Sequence, residues 1–572
     1  MTLRSHRPRL GACWIALAVA LVGPGCPSAA PRAAETSTVF ATPAATPAVG
    51  TQPAAPALGA PTPMRIGCDA RPVAISPFIY GVAVTGGATD DLTHFPAEIG
   101  ATIRRWGGNR SSRYNWEGHF DNSASDWFFE NHGAGDWAQF ISTNSAQGKT
   151  SALSLPTIGW VAKDASSYSF PVSVFGAQAH TDPYHPDAGD GTTTSGTRID
   201  PGPPSRTSTP APPEWVKRWV ETVRAAEAKT GSRSTREYIL DNEPMLWSAT
   251  HRDVHPDPLG YDELLDRTIR YGEAVRAADP EALIAGPAEW GWSGYFFSAK
   301  DLAPGAIGRP DRRAHGGVNL VEWYLSSLRQ REQKTGVRIL DVLDLHYYPQ
   351  ASGVYSDASD PKTAELRLRS TRSLWDPDYE DESWIKDRVR LLPRMKEWVE
   401  KNYPGRGISI GEWNFGGEKH ISGALATAEA LGRFAQFGVA SAFYWTVPPP
   451  GSASAQGFAA YRNFDGKEGH FLDWYMPTTT PPGVSLFASR DDEGEHVVAV
   501  AINMLAEPRL AEVYLGGCGA IASVRAYVYA DGSTGFVAAR APAGGTAGIA
   551  QSLPPWSITV LDVRLAQPLP KP

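Results

Sequence analysis

Cysteine is scarce in this chain: there are four among 572 residues, and only Cys68 and Cys518 lie beyond residue 63. Two thiols cannot build a zinc cage, and a chain of this length does not need a disulfide scaffold to hold a core. The two can bridge in an oxidising compartment or remain buried free thiols. Basic blocks are absent too. The formal net charge of −8 is spread along the chain, which speaks against a nucleic-acid partner. No internal repeat, no His-Glu-x-x-His and no histidine cluster occurs, so no cofactor or metal is expected in catalysis. The Gly-rich spots lack the strand–loop–helix context of a nucleotide fingerprint.

The N-terminus carries Arg4, Arg7 and Arg9, then an apolar run from Gly11 to Val22, then small residues and Pro. A membrane span needs about 20 apolar residues, so this shorter run reads as a secretory signal over residues 1–26. Cys26 follows Leu21-Val22-Gly23-Pro24-Gly25, which resembles a lipoprotein cleavage box but departs from it at Gly23 and Pro24. Either Cys26 carries a lipid anchor at the outer cell surface, or cleavage near Ala30 or Ala34 releases a secreted protein. Residues 27–63 are Ala, Pro and Thr with few charges, the composition of a semi-rigid tether.

From residue 79 to 482 short apolar runs alternate with amphipathic helical patterns. Strands are expected at 79–82, 102–105, 152–155, 238–240, 283–286, 342–346, 408–410 and 442–445. Helical spacing joins Trp215, Trp219 and Val223, then Leu320, Tyr324 and Leu328, then Ile385, Val389, Leu392 and Met395. Eight strands with intervening helices predict an α/β fold, a (β/α)8 TIM-like barrel. After residue 482 the runs at 496–502, 512–515, 524–529 and 557–563 are β-branched and aromatic between Gly, Asp and Pro turns, predicting a β-sandwich over 483–566. The extended stretch 64–78 is expected to join that sandwich and bring Cys68 near Cys518.

Two of the barrel runs end in glutamate. Glu243 lies in Tyr238-Ile239-Leu240-Asp241-Asn242-Glu243-Pro244, after strand four, and Glu412 in Ile408-Ser409-Ile410-Gly411-Glu412-Trp413-Asn414, after strand seven. Barrel enzymes present their reactive groups at this C-terminal mouth. A glycosidic bond needs two carboxyls, one to protonate the leaving oxygen and one to attack or to activate water. Either glutamate alone also fits a carboxylate that favours a helix N-terminus; the pair points to chemistry. Glu243 suits the acid and Glu412 the nucleophile. Asn242 can meet the sugar 2-hydroxyl, and Arg104 or Arg105 can keep Glu412 ionised.

The motifs are specific. Arg105-Trp106-Gly107-Gly108-Asn109 is followed by Ser112-Arg113-Tyr114-Asn115-Trp116, then by Asp241-Asn242-Glu243-Pro244-Met245-Leu246-Trp247-Ser248 and His255-Pro256-Asp257. Next come residues 340–349, Leu374-Trp375-Asp376-Pro377, Ser383-Trp384-Ile385, Glu412 with Gly416-Gly417 and His420-Ile421, and Asn463-Phe464-Asp465-Gly466. In this order, across roughly 400 residues, they resemble glycoside hydrolase family 44, the endo-β-1,4-glucanases and xyloglucanases of a retaining (β/α)8 clan. The resemblance implies that Glu243 is acid/base and Glu412 nucleophile, and that a β-sandwich follows the barrel. It departs at the nucleophile, where the family's Thr-Glu-Tyr is Gly411-Glu412-Trp413 here.

Sugar contacts are expected from Arg105, Asn109, Trp127, His346, Tyr348, Trp375, Trp384 and Trp445, although any Trp also fits a core position. Asp187-Ala188-Gly189-Asp190-Gly191 resembles a calcium loop, and family members carry a structural ion in this region, but two carboxylates equally fit an Asx turn. The expectation is therefore a monomeric exported endo-β-1,4-glucanase acting on a β-1,4-linked polysaccharide. The alternatives are a mannanase or xylanase of the same clan, or a catalytically silent glycan-binding protein at the cell surface.

Overall fold

Eight parallel strands close into a barrel: Gly81–Val84, Ile103–Trp106, Thr150–Leu155, Thr235–Leu240, Leu283–Glu289, Val342–Tyr347, Gly407–Trp413 and Ser441–Tyr444, each beside the next in sequence. These coordinates, a computed structural model, describe residues 60–86, 99–540, 542–544 and 548–571. The export segment, the lipidation candidate Cys26 and nearly all of the tether lie outside the described residues. Every expected barrel strand is present. Their runs are apolar because both faces are covered: helices pack outside, and side chains fill the interior.

Local rules set the covering helices. Pro213–Thr230 begins with Pro at its first position and ends at Gly231 in the left-handed conformation, burying Trp215, Trp219 and Val223. Leu320–Thr335 buries Leu320, Tyr324 and Leu328 and ends at Gly336 in the same conformation. The third pattern is corrected. Its helix is Leu391–Asn402, and Ile385 and Val389 precede it in non-helical chain. Pro393 explains the difference. It is tolerated in a first turn, but a helix already running at residue 389 would lose a hydrogen bond there and clash with the Pro ring.

The second domain has two sheets. One runs in the order Thr478–Thr479, Ala60–Gly67, Arg509–Gly516, Gly548–Leu553, Ala543–Gly544. The other is Val73–Ala74, Trp474–Met476, Val484–Arg490, His496–Asn503, Ser557–Leu565, Ile521–Ala530, Val537–Ala538. Ala60–Gly67 pairs in parallel with Arg509–Gly516, so the chain before the barrel does join this domain. Cys68 and Cys518 are disulfide-bonded across 450 residues of sequence. Strand Trp474–Met476 lies before the expected boundary at 482 yet pairs within the sandwich. One sheet face packs on Met64, Ile66, Val513 and Leu515 of the other sheet. Its opposite face, through Phe487, Val498 and Val500, joins the barrel-side core. Gly432, in helix Ile421–Phe437, lets the backbone approach Phe487 so closely that a Cβ would sit 2.3 Å from its ring.

Candidate active site

The loop after the fourth strand is unusual in its backbone. Asp241 (φ 68°) and Glu243 (φ 46°) both sit in the left-handed region that non-glycine residues avoid. Buried Asp241 holds them there: its Oδ1 accepts from Ser112 Oγ at 2.5 Å, and its Oδ2 accepts from the backbone N–H groups of Thr157 and Ile158. The Glu243 N–H donates to the Ala288 carbonyl at 3.0 Å, and Trp247 Nε1 donates to that of Asn242 at 3.2 Å. Strain held by this many bonds is typical of a working site.

Arg105, fully buried at the end of the second strand, is the hub. Nη1 donates to Glu412 Oε1 at 3.0 Å and to the Gly411 carbonyl at 2.5 Å, Nη2 to Asn242 Oδ1 at 3.0 Å, and Nε to Ser154 Oγ at 3.3 Å. The neighbouring Arg104 is not the cation facing the acids; it contacts Asn144 and the Phe140 ring. The two glycines that follow Trp106 are explained by space. A Cβ on Gly107 would lie 2.5 Å from Arg105 Nε, and one on Gly108 (φ 81°) would lie 2.3 Å from the Trp445 ring.

Glu412 is nearly buried, with a side chain 6% exposed. Its Oε2 accepts from Tyr348 Oη at 3.0 Å, and its strand is in register with that of His346. His346 Nδ1 lies 3.0 Å from Glu243 Oε1 and 3.5 Å from Glu412 Oε2. One carboxylate oxygen of each glutamate and a nitrogen of His346 all fall within 4.8 Å of one another. A retaining glycosidase holds its two carboxyls about 5–5.5 Å apart, whereas an inverting one needs about 6.5–9.5 Å.

Electrostatics divides the roles. Burial pushes the Glu243 carboxyl up to about 7, with Arg105 opposing it. Burial also raises Glu412, but His346, Arg105 and the Tyr348 hydroxyl all work against it. Burial lowers the His346 pKa, against the charge of Glu412. Such a difference in surroundings is what a general acid paired with an ionised carboxylate requires.

Residues 120–351 match the family model described as glycoside hydrolase family 44. CelM2, a bifunctional glucanase-xylanase from a metagenome library, has 35% identity to the chain and superposes with a TM-score of 0.83 over 88% of this chain and 100% of that one. The chain belongs to glycoside hydrolase family 44. A family 44 xyloglucanase from Paenibacillus polymyxa, solved with xyloglucan, superposes with a TM-score of 0.73 at 26% identity, covering 88% of this chain and 100% of that one. Endoglucanase A of Paenibacillus lautus is 30% identical over 490 residues, 77% of this chain. The chain spans 63% of the length of that endoglucanase.

In this family 44 chain the remaining expected contacts sort by place. Asn109 Oδ1 accepts from Asn242 Nδ2 at 3.2 Å, beside the glutamates. Trp127 and Trp384 expose 42% and 37% of their surface, and Trp384 Nε1 donates to Gln350 Oε1 at 3.2 Å. Trp445 lies against Gly108, and its carbonyl accepts from Asn414 Nδ2 at 2.7 Å. The Arg433 guanidinium lies 3.7 Å over the Trp375 ring and also 5.0 Å over Phe487, so one face of Trp375 is covered.

At the calcium candidates, Asp187 accepts from the Ser173 N–H and hydroxyl, at 2.6 and 2.9 Å, and Asp190 accepts from Thr192 N and pairs with His180, both at 2.9 Å. Both carboxylates thus serve as turn acceptors, the Asx-turn alternative. Among the described residues, the acidic group that converges in this region is Glu130, Asp182 and His185.

Several residues at the barrel mouth were not read from the sequence. Tyr355 stacks edge-on against Tyr348 at 5.2 Å. Asp126 accepts from Asn109 Nδ2 at 3.0 Å. Glu289, fully buried at the end of the fifth strand, has its carboxyl pushed well above the usual range by burial and then by the charge of Glu243. Trp290 after Glu289 marks a strand end that an extension of the Leu283 run would have revealed.

Proposed function

We propose that this chain is an exported, retaining endo-β-1,4-glucanase acting on soluble β-glucans, xyloglucan included. The observation that carries the reading is the Glu243–Glu412 pair, close enough for direct attack and set apart in environment. Glu243 donates its proton to the glycosidic oxygen as that bond breaks, and Glu412 attacks the anomeric carbon to form a glycosyl-enzyme. Glu243, now ionised, takes a proton from the incoming water, whose oxygen displaces Glu412. Arg105 and Tyr348 hold the nucleophile, and Asn242 meets the 2-hydroxyl. Endo action is supported by exposed Trp127 and Trp384, faces on which neighbouring sugars of a polymer can stack. The disulfide between Cys68 and Cys518 supports export to an oxidising compartment.

A xylanase activity is the second reading, because CelM2, at 35% identity, is a glucanase-xylanase. Viscosity loss in carboxymethylcellulose, xyloglucan, xylan and mannan solutions separates the readings. The expected result is rapid thinning of the two glucans and a loss of about 10³-fold in Glu243→Gln. Thinning of xylan alone would favour the second reading. No thinning of any polymer would leave a catalytically silent glycan-binding protein.

A further inference from the structure

Asp126 lies outside the pair that does the chemistry, yet an unbroken run of side-chain hydrogen bonds links it to the nucleophile. Arg105 donates to Glu412 and to Asn242 Oδ1, each at 3.0 Å. Asn242 Nδ2 donates to Asn109 Oδ1 at 3.2 Å, and Asn109 Nδ2 donates to both Asp126 oxygens, at 3.0 and 3.2 Å. We propose that Asp126 is a positioning residue for hydrolysis, anchoring this chain so that the Asn242 amide and, through Arg105, the Glu412 carboxylate are held in one orientation. The inference rests on the glycosidase reading of the same site.

Polarity is the physical argument. A guanidinium only donates and a carboxylate only accepts. With Arg105 at one end, Asn242 must present its oxygen inward and its NH2 outward, and Asn109 must do the same. Only an acceptor at the far end satisfies that order. Asp126 closes the chain, leaving the second Asn242 N–H for a sugar hydroxyl. A group there that cannot accept would let both amides turn over, pointing an oxygen at the sugar instead.

The backbone around Asp126 is held firmly. It ends a single turn, Ala124–Asp126, that opens at Ala124 with positive φ (55°) and is followed by positive φ at Phe128 (51°) and Phe129 (53°). Asn122 secures that segment: its Nδ2 donates to the Phe129 carbonyl at 3.1 Å, and its Oδ1 accepts from Ala124 N at 2.8 Å. Such conformations persist only where the surroundings over-determine them, and they cluster at functional sites. Asn109, Arg110 and Glu243 are the groups that face the carboxyl.

The test uses Asp126→Ala, Asp126→Leu, Asp126→Asn, Asn109→Ala and the Asp126→Ala/Asn109→Ala double variant, with kcat and KM measured separately on a soluble glucan and Tm as the folding control. Loss of positioning should lower kcat by about 10–100-fold in both Asp126→Ala and Asp126→Leu. KM should stay within about threefold and Tm within about 2 °C, as for a surface substitution. The double variant should be within about threefold of the worse single, because the two residues act as one unit. Asp126→Asn keeps an acceptor oxygen and should recover activity to within about threefold of wild type. Wild-type kcat in the Ala and Leu variants, a rise in KM alone, or effects that multiply in the double variant would each overturn the proposal. Failure of the glycosidase reading is read separately, from wild type and Glu243→Gln.

Discussion

At the scale of single residues, the site works by unequal treatment of two similar carboxyls. Glu243, partly buried with His346 Nδ1 3.0 Å away, has only the charge of Arg105 to oppose desolvation, and its pKa moves to about 7. Glu412 has Arg105, Tyr348 and His346 within 3.5 Å. The sign of the pH effect follows. The acid is competent only while protonated, so kcat/KM should fall tenfold per pH unit above an apparent pKa near 7, a limb that belongs to the coupled pair. A pH–rate profile checks this; a limb beginning near 5 would mean that Glu243 is solvated and not the acid. The sequence exposed Glu243, Glu412, Arg105, His346 and Tyr348 because each stands at or just beyond the end of an apolar strand run. Asp126 and Tyr355 were invisible because they arrive on irregular loops, where no periodicity records which side chain turns toward the mouth. The local motif around Trp375 likewise says nothing of Arg433, which covers one face of its ring from another helix.

At the scale of elements, register and close approach bring these residues together. Strands six and seven pair His346 with Glu412, and the turn after strand two passes under Trp445. Gly108 (φ 81°, ψ 179°) occupies backbone space reserved for glycine. Gly108→Ala should therefore cost about 1–3 kcal/mol of stability by overpacking. It should also lower kcat by about 100-fold by displacing Trp445 and Asn109. Thermal melts with kcat measurements check both, and an unchanged kcat would mean that Trp445 has no part in holding the sugar. All eight barrel strands were legible because runs covered on both faces are mostly apolar. Their ends were read short where polar residues such as Glu412 and Glu289 continue the pairing. In the sandwich, Gly548–Leu553 and Thr478–Thr479 escaped notice because small or few residues carry little pattern.

At the scale of the whole molecule, the barrel is bracketed by a domain made from both ends of the described chain. Ala60–Gly67 and Arg509–Gly516 pair side by side, and Cys68–Cys518 fastens them. Closing so long a loop removes freedom from the unfolded chain and contributes about 2–4 kcal/mol. The sandwich sheet nearest the barrel is apolar on both faces, so the two domains share a continuous core at Phe487 and Gly432. Sequence pattern alone showed two domains but not this joint, since which strand faces which helix depends on contacts hundreds of residues apart. The central claim is that Glu412 attacks the sugar directly while Glu243 serves as acid and then base. Proton NMR of a cello-oligosaccharide digest, followed from the first seconds with wild type, Glu243→Gln and Glu412→Gln, tests it most directly. The account predicts the β-anomer first and near-inactivity in both variants; the α-anomer appearing first would contradict it.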